Sequence, residues 1–358
     1  MACYRTFFPT LLYTLLSTLL LLFVPMHSLQ AADQSDSGEE EIAASSQEYF
    51  LLQSFHSGNR KPLNHLGLLA QRSELGYSVS AVLDGFPAQQ AGLRRGDLLV
   101  SIDGFSYHPV LSLNPQFGDG NPATRTTGEI VLEYSRNGSS VTVSMQPVHG
   151  NLFDAYRTAT LNSAQQFSNG NKLIGYVKLW SLDRSTDGIR WFHQLLDSLA
   201  HCDGLILDLR DSYGFIDANH IDRFFSSRNS LFELAGENPD LWQQRQPERT
   251  STSTNGRALV VLQNGGTRGG LELFSYQLAK LQRVVSVGET TSGKAGQVSY
   301  NTETGSITYL PQPEVRVDGL QLEANGIDSE VEVPYPLDQS LAVDPQLDAA
   351  VLALMEII

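Results

Sequence analysis

The sequence predicts an α/β core preceded by a small, mostly-β domain, and three observations carry that reading. The 358 residues are 41% hydrophobic and 18% charged, a globular balance, and long enough for two or three domains at about 100–200 residues each. Between Tyr77 and Met145, short alternating stretches are punctuated by Asp-Gly and Asn-Gly pairs, the rhythm of strands joined by tight turns. From Lys172 onward, apolar runs alternate with segments of helical spacing, the pattern of a parallel sheet covered by helices.

Residues 1–31 read as a secretory signal peptide. Arg5 is the only charge before the apolar run from Phe7 to Pro25, and Leu29-Gln30-Ala31 supplies a small-residue exit. Basic start, apolar middle and alanine exit are the marks of a cleaved signal. The run is nearly long enough to span a bilayer, so an uncleaved anchor is the alternative, and would be the only membrane contact expected. Cleavage after Ala31 leaves 358 − 31 = 327 residues for export, with a bacterial periplasm or cell envelope as the expected address. Residues 32–60 open as an acidic linker containing Glu39, Glu40 and Glu41, then close on a short helical segment with Tyr49, Phe50, Leu51 and Leu52.

Residues 61–150 hold the β domain. Tyr77 to Val82 alternates as a half-buried strand. Pro87 suits the first turn of a short helix and Gly92 its exit. Gly96-Asp97 turns into the apolar strand Leu98 to Ile102, and Asp103-Gly104 turns out of it. Ile130 to Tyr134 and Val141 to Met145 are strands joined across Asn137-Gly138. The string from Asp84 to Gly104 resembles the core of a PDZ domain of the bacterial protease-associated type. That resemblance implies capture of a partner's C-terminus: the peptide adds as a strand while backbone N–H groups of a glycine-containing loop hold its carboxylate. The matching loop is Leu66, Gly67, Leu68 and Leu69, just before the first strand. Where the groove-lining helix is expected, Pro109, Pro115, Gly118, Gly120 and Pro122 disfavour one, so a PDZ fold used only as a brace is the other reading.

Residues 151–358 form the α/β core. Leu173 to Trp180 reads as a strand, Ile189, Phe192, Leu195, Leu196 and Leu199 as a helix face, and Gly204 to Leu209 as a strand buried on both faces. Strand Ala258 to Leu262, a helix through Leu271, Phe274, Leu278 and Leu281, and strand Val284 to Gly288 follow. Asp344-Pro345 opens a final helix, with Asp as cap and Pro at its first position. Ile174 to Leu179, Gly204 to Gly214, Asn264 to Glu272 and Val287 to Lys294 resemble, in their usual order, strings of the carboxyl-terminal processing (tail-specific) serine peptidase family; Gly326 to Val333 is a further match. The resemblance implies an α/β core of the tail-specific protease type, a Ser–Lys dyad, and unfolded polypeptide or protein C-termini as partners. In such a dyad, a lysine among apolar neighbours has a lowered pKa and takes the proton of a serine that attacks a peptide carbonyl. Backbone N–H groups at a helix start, with a glycine loop opposite, stabilise the oxyanion.

Carried onto this chain, the resemblance makes Lys294 the base, one of only five lysines, at 61, 172, 178, 280 and 294. Gly214 and Gly270 become the backbone oxyanion donors. Gln297 lies three residues after Lys294, where the better-known members carry glutamine four on, which leaves its role as orienter open. The family's nucleophile stands three residues before the glutamate of the turn and 25 before the lysine; 272 − 3 and 294 − 25 both give 269, and that residue is Gly269. Glycine has no side chain to attack a carbonyl. Thr267, Ser275, Thr290, Thr291 and Ser292 are the nearby hydroxyls, and none stands at the right place without rearranging the turn.

Composition excludes other classes. Lys plus Arg is 24 against 39 for Asp plus Glu, a net charge of −15 that repels a phosphate backbone, so nucleic acid is not an expected partner. The two cysteines are Cys3 and Cys202; only one survives signal removal, and no Cys/His spacing suits zinc, so no metal and no cofactor are expected. His193, His201 and His220 lack an accompanying Gly-x-Ser-x-Gly turn and read as core or helix-surface residues. The leading expectation is an exported, disarmed peptidase homologue that binds peptides or C-termini. An active peptidase with a non-standard nucleophile, and a carrier of a small apolar ligand in the same cleft, are the alternatives.

Overall fold

Four consecutive apolar residues, Tyr49 to Leu52, are buried on helix α1 (Gln47–His56), so the helix is wedged inside the protein rather than laid on its surface. Ser46 starts it by accepting the Tyr49 N–H at 3.0 Å. The computed structural model describes residues 38–118, 128–225, 233–236, 238–243 and 256–358. The stretch expected to be a signal peptide, Gly120 and Pro122 therefore lie outside the described residues. The acidic linker is pinned where it approaches α1: Glu40 and Glu41 pair with Tyr309 and Thr308 while their side chains stay exposed.

The alternating stretches pair as an antiparallel sheet in chain order: β1 (Leu68–Ser73), β2 (Gly76–Val82), β3 (Leu98–Ile102), β4 (Ile130–Arg136) and β5 (Ser139–Met145). Val79, Leu99, Ile102 and Leu132 fill its core. The last two strands turn through Asn137 at φ 49° and Gly138 at φ 83°, the two positive angles a tight hairpin requires. Strand β1 corrects the expectation of a loop up to Leu69: Leu68 and Leu69 already belong to it. Along β1 only Leu68 is buried, so the sequence carries no alternation to reveal it. Pro115–Phe117 forms one short 3-10 turn in the described part of the segment where the sequence disfavours a helix.

Helix α2 (Leu152–Ser163), capped by Asn151, was not foreseen from the sequence; it packs against α1. Beyond it lies a sheet in the order β6 (Gln165–Asn169), β7 (Lys172–Lys178), β8 (Gly204–Asp208), β9 (Ala258–Gln263), β10 (Val284–Gly288) and β13 (Val331–Glu332). Strand β6 is antiparallel to β7 and the other neighbours are parallel. Every residue of β8 and β9 is buried, because helices cover both faces. On one face Leu205 and Leu207 meet α3 (Thr186–Ser198) and α4 (Gly270–Ala279) through Leu195, Phe274 and Leu278. On the other, Ile206 and Val260 meet α5 (Pro345–Ile357) through Ala350 and Leu354. Helix α4 stops at Ala279, short of Leu281, which still packs on the same core. A hairpin of β11 (Gln297–Tyr300) and β12 (Ile307–Leu310) lies beside α1. Among the described residues no helix is long and apolar enough to cross a membrane.

Candidate functional site

Strands β8, β9 and β10 end side by side, and the chain leaves each of them in a loop: 209–214, 264–269 and 289–294. Parallel sheets present their ligand crevices at such carboxyl ends. Side chains tie the first two loops together. Asn264 Oδ1 accepts the N–H groups of Asp211 and Gly266, both at 3.0 Å, while its Nδ2 donates to Asp211 Oδ1 at 3.2 Å. Thr267 Oγ1 donates to the Leu209 carbonyl at 2.8 Å and accepts the Asn264 N–H at 3.1 Å.

The turn into α4 runs through Gly269, at φ 66° and ψ −138°. A Cβ on Gly269 would lie 3.1 Å from the Gly214 carbonyl oxygen and 3.2 Å from the Tyr213 ring; one on Gly270 would lie 2.6 Å from the Ile216 nitrogen. The start of α4 is thus pressed against residues 213–216. Gly214 is itself paired in parallel register with Leu182, and the wall is stiffened by a 2.7 Å hydrogen bond between the Tyr213 hydroxyl and His56 Nε2.

Glu272, in the first turn of α4, is fully buried and holds the third loop in place. Its carboxylate accepts from Thr291 Oγ1 at 2.7 Å, Gly293 N–H at 2.8 Å and Ser292 Oγ at 3.1 Å. Burial pushes its pKa up to about 7, against the opposing pull of those three donors. Lys294 follows directly. The expected apolar setting for it is not what surrounds the ammonium: Nζ lies 3.5 Å from Glu48 Oε1 and 5.4 Å from the centre of the Tyr309 ring, and the side chain is 37% exposed. Glu48 also accepts from Arg268 Nη1 at 2.5 Å. Burial works against the Glu48 anion, but Arg268 and Lys294 outweigh it and hold the carboxyl below its usual range.

Lys294, Arg268 and Glu48 line a cavity of about 770 Å³ that Leu69, Ala70 and Gln71 of β1 line as well. So Lys294 and Leu69 meet in one space. Gly214, Gly269, Gly270, Gln297, Leu66, Gly67 and Leu68 are not part of its lining. Gly67 donates its N–H to His65 Nδ1 at 3.2 Å, and Gln297 opens β11 opposite Leu310. The five candidate hydroxyls are engaged: besides Thr267, Thr291 and Ser292 as above, Ser275 Oγ donates to Gln263 Oε1 at 2.5 Å and Thr290 Oγ1 to Asp328 Oδ1 at 2.7 Å. Sequence reasoning missed Gln47, Glu48, Arg268 and the clamping role of Glu272. Arg268 and Glu272 stand inside the motif already singled out; Glu48 is 220 residues from Arg268 and has no local signal. Among the described residues, no three His, Cys, Asp or Glu side chains are grouped so as to hold a metal ion.

Residues 173–333 match the model of peptidase family S41. The carboxyl-terminal-processing protease of Synechocystis sp. is 29% identical over 238 residues, 60% of this chain and 49% of that protein. A CtpA-like serine protease of Staphylococcus aureus is 22% identical over 305 residues, 82% of this chain and 57% of that protein. The chain spans about half the length of these curated relatives. Among solved structures, an S41 protease of Bacteroides fragilis superposes with a TM-score of 0.51 at 17% identity, over 84% of this chain and 85% of that one.

Proposed function

We propose, from the match of residues 173–333 to peptidase family S41 and the shared S41 protease fold, that this chain is an exported, PDZ-containing member of that lineage that binds extended peptides or protein C-termini without cutting them. Gly269 occupies the nucleophile position. The observation that carries this reading is the geometry of the turn: φ 66° and ψ −138° on the link from strand to helix is the strained arrangement in which a hydrolase exposes its nucleophile, and here it bears no side chain. A Cβ at this position would lie 3.1 Å from the Gly214 carbonyl oxygen and 3.2 Å from the Tyr213 ring. A substitute nucleophile is disfavoured because Thr267, Ser275, Thr290, Thr291 and Ser292 already direct their hydroxyl protons to carbonyl or carboxylate acceptors. A carrier of small apolar molecules is disfavoured by the cavity lining, which includes Glu48, Arg95, Asp211, Arg268, Glu289 and Lys294.

The deciding experiment is cleavage of a reduced and alkylated, unstructured protein by the purified chain, by Gly269→Ser and by Gly269→Ser/Lys294→Ala. The natural chain is expected to be inert, Gly269→Ser to cleave, and the double variant to lose most of that activity, typically by several powers of ten in such units. Cleavage by the natural chain itself overturns the reading and sends the search back to Thr267 and Ser292.

A further inference from the structure

We infer that the first turn of α1 is a built-in stand-in for the bound peptide: Glu48 occupies the place of a C-terminal carboxylate on Arg268 and Lys294, and Gln47 occupies the place of peptide backbone along β1. The inference rests on the peptide-binding reading above and concerns how that site is regulated.

Strand β1 is the outer strand of its sheet, paired with β2 on one side. On its other side, Gln47 Nε2 donates to the Leu68 carbonyl at 2.9 Å and Gln47 Oε1 accepts the Ala70 N–H at 3.0 Å. An acceptor on one residue and a donor two residues on, both turned to the same edge, are what an added strand would engage. One side-chain amide satisfies both, taking the place of the N–H and C=O that an added strand would bring to this edge. The next residue, Glu48, projects into the cavity and bridges two cations with a single oxygen, Oε1, 2.5 Å from Arg268 and 3.5 Å from Lys294. An amide on the strand edge followed by a carboxylate on a cationic pair reproduces the end of an extended chain.

Charge makes the occupancy exclusive. The cavity is lined by Glu48, Asp211, Glu289 and Glu332 against Arg95, Arg268 and Lys294. An incoming carboxylate added while Glu48 stays in place meets an excess of its own sign. The exchange asks little of the fold. Helix α1 is fastened by the buried side chains of Tyr49, Phe50, Leu51 and Leu52, whereas the side chains of Gln47 and Glu48, in its first turn, can turn outward by a change of rotamer that leaves the helix backbone in place. The Glu48 side chain is 30% exposed and can reach water. The ligand class is an extended peptide with a free terminal carboxylate.

The test uses the full chain and two labelled pools of peptides of about ten residues with apolar C-terminal residues, one pool ending in carboxylate and the other in carboxamide. Binding is read by fluorescence anisotropy. Glu48→Gln is expected to tighten the carboxylate pool about tenfold and the carboxamide pool by less than about twofold. Glu48→Gln/Lys294→Gln is expected to erase that difference, and Gln47→Ala to tighten both pools alike. Unchanged far-UV circular dichroism and melting temperature establish that the variants are folded. If Glu48→Gln binds both pools as the natural chain does, or gains equally for both, the stand-in is wrong while peptide binding survives. If neither pool binds any variant, the peptide-binding reading falls and the stand-in falls with it.

Discussion

At residue 269 the backbone lies in a region that L side chains rarely adopt, and the space beside it is bounded by the Gly214 carbonyl at 3.1 Å and the Tyr213 ring at 3.2 Å. Placing serine there therefore carries a conformational cost of about 1–3 kcal/mol. Gly269→Ser is expected to melt below the natural chain even where it gains activity, and an unchanged melting temperature would mean that the wall yields freely. Glu272 makes a separate prediction. Its folded pKa of about 7 exceeds the ordinary 4.5, so the unfolded chain loses that proton first. The contribution to stability is full below about 4.5 and is lost as pH rises through 7, a change of about 3 kcal/mol. Glu272→Gln cannot ionise; its single carboxamide oxygen still accepts from Thr291 and Gly293, and its amide N–H donates to Ser292 Oγ in place of the acceptor lost there. Urea midpoints measured from pH 4.5 to 8 should flatten in this variant relative to the natural chain; parallel curves would show that Glu272 does not carry the dependence.

At the scale of elements, the ends of helices do much of the positioning. Asp344 Oδ1 accepts the N–H groups of Gln346 and Leu347, both at 3.0 Å, and so starts α5. Its Oδ2 also lies 2.7 Å from the buried guanidinium of Arg210, which stands in the loop 209–214. Asp344→Ala removes a cap and part of the charge balance of Arg210, which keeps Asp208 at 2.6 Å. The expected loss is about 2–4 kcal/mol, read as a lower urea midpoint with an unchanged slope. A loss well under that range would mean that water replaces the carboxylate.

At the scale of the whole molecule, residues 38–358 form one compact unit, and specific polar contacts fasten the β1–β5 sheet to the α/β part. Arg95 donates to the Ser80 carbonyl at 2.7 Å and twice to the Tyr335 carbonyl, at 3.1 and 2.9 Å. Asn137 and Ser340 exchange two hydrogen bonds at 3.0 Å, and Trp180 Nε1 donates to Asp84 at 3.0 Å. The natural chain is expected to unfold in a single transition. Of its tryptophans, Trp191 and Trp242 report on the α/β part and Trp180 on the joint, whereas far-UV circular dichroism sees the whole fold. In Arg95→Ala the two signals should separate along the urea axis; coincident curves would show that Arg95 is dispensable to the joint.

What the sequence determined by itself was local and periodic. The largely apolar runs of β8 and β9, the helical spacing of α3, the Asn137-Gly138 hairpin and the Asp344-Pro345 start each follow from neighbours within a few residues, where backbone preference and burial period are written. The order of the motifs was equally legible, and with it the coincidence of Gly269 with two independent spacings. Strand β1 was hidden because its burial does not alternate, and α2 went unread despite its Asn151 cap. The setting of Lys294 was decided only by the tertiary structure: Glu48, from a helix near the start of the chain, reaches an ammonium 246 residues later (294 − 48 = 246). A charge's partners depend on which loops the sheet brings together at its carboxyl ends, and no short stretch of sequence encodes that meeting.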